Sequence, residues 1–537
     1  MGWAKATKVP TFDVPYFRYI DEEESEGEGD GQEVWSSSRS LSSIEDDSSS
    51  DSVVSDRYVV VSGTPEKILE HLLSVLRLDN HQPLLDDFLL TYLVFMSTSD
   101  LCQALLVQYP STSGYKGKEV LDRKRQVLHL VTQWTTLYRD FLREDEHVKL
   151  FMKTLYRFLL DDLYEYPTLE KEQKDLQKLL RLHRRHKALS HQLSLKENGL
   201  PTRRTQRETR EVLCHVYVSM DSYLSVRSLA SVVAQGLLQE VAERLDVPLE
   251  ELVLLAVTYP GEKLLLKPQD RLYSDSLTAV GRLHVCRKDL SEVMNPFTDN
   301  AELQQRSARM LSMNTWDVAV TLTNFDWSVF NSIHEQELVY FTFSRHASGG
   351  HTVALELLLQ RCNEVQLWVM TEVLMCPTLC NRVQLIKKFI KIAAHCKAQR
   401  NLNSFFAIVM GLNTAAVSRL SQTWEHHICL NMSSQDPSLN HKAYRDTFRK
   451  TKTPKIPFLP LLLKDITFIH EGNKTFLENL VNFEKLHMIA DTVRLIRHCQ
   501  EDHMGGSPEV QAYVDYLHII DNQQTLFELS HRLEPRV

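Results

Sequence analysis

The sequence carries none of the short motifs that mark common nucleotide-binding or hydrolytic enzymes. Neither a GxxxxGK[ST] phosphate loop nor a GxGxxG turn occurs, and there is no GxSxG serine elbow. HEQEL, which begins at His334, lacks the second histidine of a zinc-protease motif. We therefore do not expect catalysis by a phosphate loop, an activated serine or this type of zinc site.

Cysteine and histidine side chains are also weak candidates for a metal centre. The spacing of the one close cysteine pair suits neither a zinc knuckle nor a redox CxxC, and helical periodicity places Cys396 on an apolar face. The residues considered for such a cluster are Cys376, Cys380, His395, Cys396, His426 and His427. We expect neither a metal nor another cofactor, and the scattered cysteines predict a reducing compartment.

Length and charge indicate a multidomain protein whose partners are other proteins. A chain of 537 residues exceeds what one hydrophobic core usually supports, and 43% hydrophobic residues can fill several cores. The net charge of −9 gives no overall attraction to nucleic acid or to an anionic membrane. We predict two to four domains.

The first 56 residues form an acidic, serine-rich tail. It contains DEEESEGEGDG and WSSSRSLSSIEDDSSSDS, which offer too little apolar surface to offset the entropy of ordering. We predict that residues 1–56 are disordered. Serines followed by acids, as in SSIEDD, suit acid-directed kinases, although a solvating tail is the preferred interpretation.

Residues 57–182 show helical periodicity in every segment. In GTPEKILEHLLSVL, Thr64 is a candidate N-cap, Pro65 suits the first helical position, and leucines and isoleucine recur on one face. Similar patterns recur in LLDDFLLTYLVFM and VKLFMKTLYRFLLDDLY. We predict an all-α bundle without strands.

A change of period after residue 209 indicates a second kind of domain. Residues 183–209 are basic and form a predicted linker; their HRRHK run could serve nuclear import, but solvated helix ends explain such runs more often. Residues 210–289 then alternate with period two around one helix, in a ββαββ order that predicts a ubiquitin-like α+β roll. A second linker, 290–309, follows.

Residues 310–537 return to helical periodicity and predict a large all-α domain. LIKKFIKIAAHC has one apolar face, and NLNSFFAIVMGL is apolar on almost all sides, as expected of a central helix. Phe406, Trp368 and Phe389 are assigned to the core. The predicted fold class is thus mostly α, with a helical bundle, an α+β roll and a large helical domain.

Three blocks of the last domain resemble the catalytic domain of Ras-type guanine-nucleotide exchange factors. They are NFDWSVFNSIHEQELVYFTF, LLLQRCNEVQLWVMTEVL with its continuation to SRLSQTWE, and PKIPFLPLLLKDITFIHEGNKTFLENLVNFEKLHMIADTVRLI. The wording around IPFLPLLLKDITFIHEGN, with Pro460, is similar to the Epac-related, cyclic-nucleotide-independent exchangers that act on Rap. The resemblance covers nearly the whole chain, and it implies an N-terminal Ras-exchanger-motif domain before a Ras-associating domain.

The resemblance implies an exchange catalyst that uses no covalent chemistry and no cofactor, with Rap GTPases as substrates. In this family a helical hairpin levers switch I of the GTPase outward. On that hairpin Glu471 is expected to approach the magnesium and phosphate region, Thr467 to crowd the metal, and Lys464 to complete the catalytic group. A helix end before Gly472 is the structural alternative for Glu471.

Further interface residues follow from the same resemblance. Asn413 matches the position that hydrogen-bonds switch II, and Phe458, Arg361 and Arg419 lie in neighbouring blocks of the GTPase interface. For Arg361 and Arg419, a salt bridge within the domain is an equal alternative. In the roll, Arg227 lies on the strand SYLSVRSL, which is expected to pair edge to edge with a GTP-bound Ras protein, M-Ras in particular.

One departure from the family pattern keeps a second function open. Only HHICLNMSSQ separates SQTWE from DPSLNHKAYR, which is shorter than usual by about two helical turns. The alternative to a Rap exchanger is therefore a non-catalytic adaptor that binds active M-Ras and keeps a degenerate exchanger domain as a scaffold. We expect a cytoplasmic protein with a nuclear pool, which lipid-anchored GTPases recruit to membranes.

Overall fold

The computed structural model describes thirteen stretches of the chain. They are residues 62–76, 83–110, 117–138, 142, 145–181, 211–229, 231–258, 263–272, 280–288, 309–343, 352–425, 438–500 and 516–535. The predicted acidic tail, the linker 183–209, the linker 290–309 except Arg309, and the shortened segment after Glu425 lie outside these stretches. None of the helices in the described stretches is long and apolar enough to cross a membrane.

The first domain is a helical bundle that starts as predicted. The side chain of Thr64 caps the first helix by accepting the N–H of Lys67 at 3.4 Å, and Pro65 occupies the first helical position. Ring contacts join Trp134, Tyr92 and Tyr138 in the core. The bundle contains the helices α1 (Pro65–Val75), α2 (Pro83–Thr91), α3 (Thr98–Gln108), α4 (Lys118–Leu137) and α5 (Glu146–Asp162).

The prediction of a strand-free bundle is wrong at its first described residues. Ser62 and Gly63 form strand β1, which pairs with a hairpin strand more than 400 residues later in the chain. A two-residue strand has no periodicity that a sequence could display, so only the tertiary contact defines it. Backbone hydrogen bonds therefore connect the bundle to the last domain.

The second domain is built on a six-stranded sheet with one helix, α6 (Ala234–Leu245), packed on its core. Its strand order is β5-β4-β6-β2-β3-β9, and all neighbouring strands are antiparallel except β2 and β6. The strands are β2 (Glu211–Tyr217), β3 (Ser222–Leu229), β4 (Leu252–Thr258), β5 (Lys263–Leu265), β6 (Val280–Arg287) and β9 (Tyr516–Ile520).

The predicted α+β roll is present, with one strand more than the predicted ββαββ order, and a sixth strand of the sheet comes from residues 516–520. Strand β9 pairs with β3 from Ser222 opposite Ile520 to Val226 opposite Tyr516. The last domain was predicted to be all-α, so this strand and a short hairpin correct that prediction. The hairpin strands are β7 (Phe476–Leu477) and β8 (Leu480–Asn482).

Helices form most of the last domain, as predicted, and the mostly α fold class is confirmed. The longest of the described helices buries most of its residues, charged as well as apolar, and its Trp368 is fully buried against Phe389. The helices are α7 (Thr315–Phe330), α8 (Glu335–Phe343), α9 (Val353–Leu374), α10 (Leu379–Ala398), α11 (Leu402–Asn413), α12 (Ala415–Ser418), α13 (Ser421–Glu425), α14 (Ser438–Lys450), α15 (Leu459–Gly472), α16 (Phe483–Cys499) and α17 (Gln523–Leu533).

A buried carboxylate on α9 joins the sheet to the helical domain. Glu364 accepts hydrogen bonds from the hydroxyl of Ser225 at 2.7 Å and the amide of Gln360 at 3.2 Å, and its other contact is the His215 ring at 2.6 Å. Burial alone would raise the pKa of Glu364, but His215, Arg361 and Ser225 hold the pKa of that carboxyl below its ordinary value. This seam, the contact between the sheet and α9, is therefore held together by charge as well as by apolar packing.

Glu364→Ala should destabilise the fold by about 3 kcal/mol, because it leaves the half-buried ring of His215 and the buried hydroxyl of Ser225 without their carboxylate partner. The measurement is urea unfolding followed by tryptophan fluorescence. Glu243→Ala, which removes an exposed carboxylate on α6, should change the unfolding free energy by less than about 0.5 kcal/mol. Equal losses in the two variants would show that the seam does not depend on Glu364.

Candidate functional site

Helix α15 is buried in its first half and exposed in its second. The residues from Leu459 to Leu463 and Ile466 are buried, whereas Phe468 is 53% exposed and Glu471 is exposed. An apolar base and a polar tip on one continuous helix allow the tip to be presented to a partner while the base holds it.

The base of α15 is fixed by an aromatic cluster and an ion pair. Phe458, at the N-cap, is buried against Phe406 and Tyr444, and its backbone N–H donates to the Tyr444 hydroxyl at 3.0 Å. Nearly two turns into the helix, Asp465 accepts two hydrogen bonds from the guanidinium of Arg445 on α14, at 2.6 and 2.7 Å. Such bidentate pairs restrict orientation as well as distance.

The three residues predicted to act from the hairpin share one face of α15. Lys464, Thr467 and Glu471 are spaced by three and four residues, which places them in one stripe along the helix. Lys464 and Thr467 are half-buried, and the Lys464 ammonium lies 4.9 Å from the centre of the Phe468 ring. Glu471 stands one residue before Gly472, where the helix ends.

Asn413 occupies the exposed end of α11, a helix that is otherwise almost fully buried. The close approach of α11 to α9 requires Gly411, because a Cβ there would lie 2.7 Å from the carbonyl oxygen of Gln366. The aromatic ring of Phe406 on the same helix contacts Phe458. Helix α11 therefore supports the base of α15 and carries Asn413 at its end.

A buried polar network fixes where α11 begins. Asn401 caps the helix by accepting the N–H of Ser404 at 3.0 Å and donates through its amide to Asp326 on α7 at 2.9 Å. Asp326 also accepts from the Ser404 hydroxyl at 2.6 Å. Burial raises the pKa of Asp326 despite these hydrogen bonds.

Two of the predicted interface residues are buried in this structure. Arg361 is 1% exposed, lies 4.6 Å over the Phe325 ring and approaches Glu364 at 3.9 Å, so the intradomain alternative describes its side chain. Phe458 is 3% exposed at the base of α15. Both side chains are therefore packed inside the domain in this structure.

Arg419 also has partners within its own domain. Its guanidinium donates to the backbone carbonyls of Ser530 and Glu534, at 2.9 and 2.8 Å, and to the Ser530 hydroxyl at 2.9 Å. In return the carboxylate of Glu534 accepts the backbone N–H groups of Gln422 and Thr423 at the start of α13. Helix α17 is thereby clamped beneath the segment that follows Asn413.

Helices α2 and α16 connect the first domain to the hairpin through a charged cluster. The guanidinium of Arg494 contacts Asp86, Asp87 and Asp491, and His487 lies 2.5 Å from Asp87. Asp87, His487 and Asp491 converge closely enough to suggest a metal site. Since the Arg494 guanidinium already pairs with both Asp87 and Asp491, the cluster forms an ion-pair network that braces α16.

Arg227 in the sheet also faces the interior of the molecule. It is half-buried, and its guanidinium lies 5.0 Å from the centre of the Phe325 ring on α7. The strand that carries it is covered by β9 along Ser222–Val226. The predicted edge-to-edge pairing of this strand with a Ras-family protein therefore requires β9 to leave.

Several residues that build the site were not predicted from the sequence. Lys485 donates to carbonyls at the end of α15, Glu534 caps α13, and strand β1 pairs with the hairpin. Asn482, a typical N-cap residue before FEKL, was the one local signal, because it marks where α16 begins. The other residues act across long sequence separations that no periodicity reveals.

Two family models match this chain. The RasGEF domain matches residues 317–487, which include α15, its hairpin and Asn413. The RasGEF N-terminal motif matches residues 59–161, which cover the first helical bundle.

Curated relatives match over most of the chain. Rap guanine nucleotide exchange factor 5 from Homo sapiens is 63% identical over 98% of this chain and 95% of its own length. Rap guanine nucleotide exchange factor-like 1 from Mus musculus is 38% identical over 84% of this chain and 73% of its own. A solved structure titled RA domain of guanine nucleotide exchange factor for Rap1 is 46% identical over 17% of this chain and 88% of its own, with a TM-score of 0.16.

Acidification should weaken the site through His441 on α14. Burial, with help from Lys464 and Arg445, lowers the pKa of His441 from 6.5 to about 4. Below pH 6.5 the unfolded chain binds a proton at His441 that the folded chain excludes. The contribution of this histidine to the free energy of unfolding is therefore present above pH 6.5 and is lost as pH falls toward 4. When the pH is lowered from 7.5 to about 5.5, the free energy of unfolding of His441→Asn should fall by about 1 kcal/mol less than that of the wild type.

Urea unfolding at the two pH values measures this difference. Asparagine is suited to the replacement because His441 has a φ of 56°, a left-handed conformation that asparagine tolerates. A variant that loses as much stability on acidification as the wild type would show that His441 does not titrate in this way.

Proposed function

This chain belongs to the Rap guanine nucleotide exchange factor family, and we propose that it accelerates GDP release from Rap GTPases so that GTP can bind. The observation that carries the proposal is α15, with its base locked in the domain and the stripe of Lys464, Thr467 and Glu471 leading to an exposed tip. The match of the RasGEF domain to residues 317–487 supports the same assignment.

The physical task is to stabilise a GTPase that has lost its nucleotide. A nucleotide held at roughly picomolar Kd is stabilised by about 16 kcal/mol, which spontaneous dissociation must overcome. An exchanger lowers that barrier by binding the open, empty GTPase more tightly than the loaded one. The reaction makes and breaks no covalent bond in this chain.

The tip of α15 supplies the repulsive part of this preference. A carboxylate such as Glu471, placed near the phosphate and magnesium site, competes with phosphate for the same hydrogen-bond donors and repels its charge. Thr467 on the same face crowds the magnesium ion, and Lys464 completes the catalytic group. Because the base of α15 is fixed by Phe458 and Asp465, the GTPase moves rather than the helix.

Asn413 supplies the attractive part. Its amide can donate and accept at once, which suits a backbone segment such as switch II of the GTPase. It is exposed at the end of a helix whose other residues are nearly all buried. The contact would hold the empty GTPase in place while the nucleotide exchanges.

A GTP-bound Ras-family protein, M-Ras in particular, is proposed as a regulator that binds the Ras-associating domain at residues 210–289. Such domains add a partner strand to the edge of their second strand. Here β9 fills that edge, and β9 leads directly into α17, which Arg419 holds through the carbonyl of Ser530. Displacement of β9 would therefore weaken the packing of α17 against the segment that follows Asn413. A lipid-anchored regulator would also bring a cytoplasmic or nuclear exchanger to membranes.

Release of a fluorescent GDP analogue from purified Rap tests the exchange function. The wild type should accelerate release, and Glu471→Ala and Asn413→Ala should each slow it by about tenfold or more, because each removes a contact made in the nucleotide-free complex. Asp161→Ala, which removes an exposed carboxylate on α5, should exchange at the wild-type rate.

A binding experiment separates the exchanger from the adaptor alternative. An exchanger must retain nucleotide-free Rap through residues 310–537, whereas an adaptor binds only a GTP-loaded Ras protein through residues 210–289. Failure to accelerate release, together with binding of GTP-loaded M-Ras alone, would establish the adaptor.

Amide hydrogen exchange tests the regulator. GTP-loaded M-Ras should speed exchange at the backbone amides of Tyr516–Ile520, since a partner strand on β3 expels β9. GDP-loaded M-Ras is the control and should leave these amides protected. A stable complex with GTP-loaded M-Ras in which β9 stays protected would rule out strand pairing at this edge.

A further inference from the structure

Lys485 is a buried lysine whose ammonium has all three hydrogens bound. The side chain is 1% exposed, although it lies in the first turn of α16, close to the hairpin. Its nitrogen donates to the carbonyl oxygens of His470 and Asn473, both at 2.7 Å, and to the hydroxyl of Thr475 at 3.0 Å. A buried ammonium is tolerated when every donor is satisfied in this way.

The local structure of α16 does not account for a lysine at this position. A positive charge in the first turn of a helix opposes the helix dipole, which favours acids there. The N-terminus of α16 is already capped by Asn482, whose side chain accepts the N–H of Lys485 at 3.2 Å. The reason for the lysine therefore lies across the gap, at the end of α15.

At that end the lysine complements unsatisfied backbone carbonyls. The last carbonyls of a helix have no partner within it and carry partial negative charge, so a cation placed there is favourable. Lys485 binds the carbonyls on both sides of the Glu471–Gly472 pair and the side chain of Thr475, the residue immediately before β7. The backbone that carries Glu471 is thus tethered one residue before it and two residues after it.

The aromatic ring of Phe343 packs against both partners of the contact between Lys485 and His470. The His470 ring stands edge-on to Phe343 of α8 with ring centres 4.3 Å apart, and the Lys485 ammonium lies 5.8 Å from the same Phe343 ring. Burial lowers the pKa of Lys485, while the Glu471 carboxylate acts in the opposite direction. The lysine and the tip of α15 therefore interact through charge as well as through the backbone.

We propose that Lys485 is a positioning residue that holds the end of α15 so that Glu471 reaches the nucleotide site of the GTPase at a fixed depth and angle. The proposal rests on the exchange function proposed above. Lys485 itself is buried and touches no substrate; it acts through the carbonyls of His470 and Asn473. A tip that is free to fray would still bind the GTPase but would displace the phosphates less often.

The chain offers a matched control in Lys455. This second buried lysine, 7% exposed, donates to the carbonyls of Phe448 and Thr451, at 2.7 and 2.9 Å, at the end of α14. It makes the same type of contact as Lys485 but at a helix end away from Glu471. Lys485→Met and Lys455→Met therefore remove equivalent caps.

The experiment measures GDP release from Rap at increasing exchanger concentration, which separates the plateau rate from the concentration at half-plateau. Lys485→Met should lower the plateau rate about tenfold and change the half-plateau concentration by less than about threefold, because the loss is in orientation rather than in binding. Thr475→Val, which removes one acceptor, should lower the plateau less and guards against misfolding of Lys485→Met. Lys455→Met should keep the wild-type plateau.

Hydrogen exchange on the protein alone gives a readout that needs no GTPase. In Lys485→Met, amides of residues 470–476 should exchange at least about tenfold faster, whereas Lys455→Met should leave them unchanged. An unchanged plateau in Lys485→Met and Thr475→Val, or an equal loss in Lys455→Met, overturns the proposal. If the wild type accelerates no GTPase, the proposed exchange function is wrong. Amide exchange at residues 470–476 that is unchanged in Lys485→Met would show separately that Lys485 does not hold the end of α15.

Discussion

The structure depends on one constraint: the helix that we propose to separate a GTPase from its nucleotide must keep its position when the GTPase presses on it. Helix α15 meets this constraint by burying its first half and by anchoring Asp465 to Arg445 in a bidentate pair. A point contact would resist translation alone, whereas two parallel hydrogen bonds also resist rotation. The neighbouring elements are arranged around that requirement, with Phe406 and Tyr444 packed at the helix base.

Buried charge recurs wherever two parts of the molecule meet. Glu364 closes the seam between the sheet and α9, Asp86 and Asp87 meet Arg494 between α2 and α16, and Glu534 meets Arg382 and the start of α13. Buried ion pairs add little net stability over apolar contacts of equal size, but loss of one partner is costly. Such seams favour one relative placement of the parts over slipped alternatives, which is what a rigid α15 needs.

Local signals made much of the fold predictable, and long-range contacts account for most of the rest. Thr64 and Pro65 marked the first helix because caps and N1 prolines act within one turn, and the apolar surround of α11 marked a central helix. Strands β1 and β9 gave no such signal, since two and five residues gain their strand character from partners hundreds of positions away. For the same reason, the burial of Arg361 and Phe458 could not be read from the family blocks in which they lie.

The last described residues of the chain tie the sheet to the helical domain. Strand β9 is bound to β3 at one end of this segment, and at the other end Glu534 accepts N–H groups from α13 while Arg419 grips the carbonyl of Ser530. Helix α17 between them has 11 residues, so it spans about 16 Å as a nearly rigid rod. A rod pinned at both ends transmits a displacement of one end to the other, because an intact helix cannot absorb it by stretching. Any partner that competes for the edge of β3 therefore acts on the segment after Asn413, even though it contacts no residue of the exchange site.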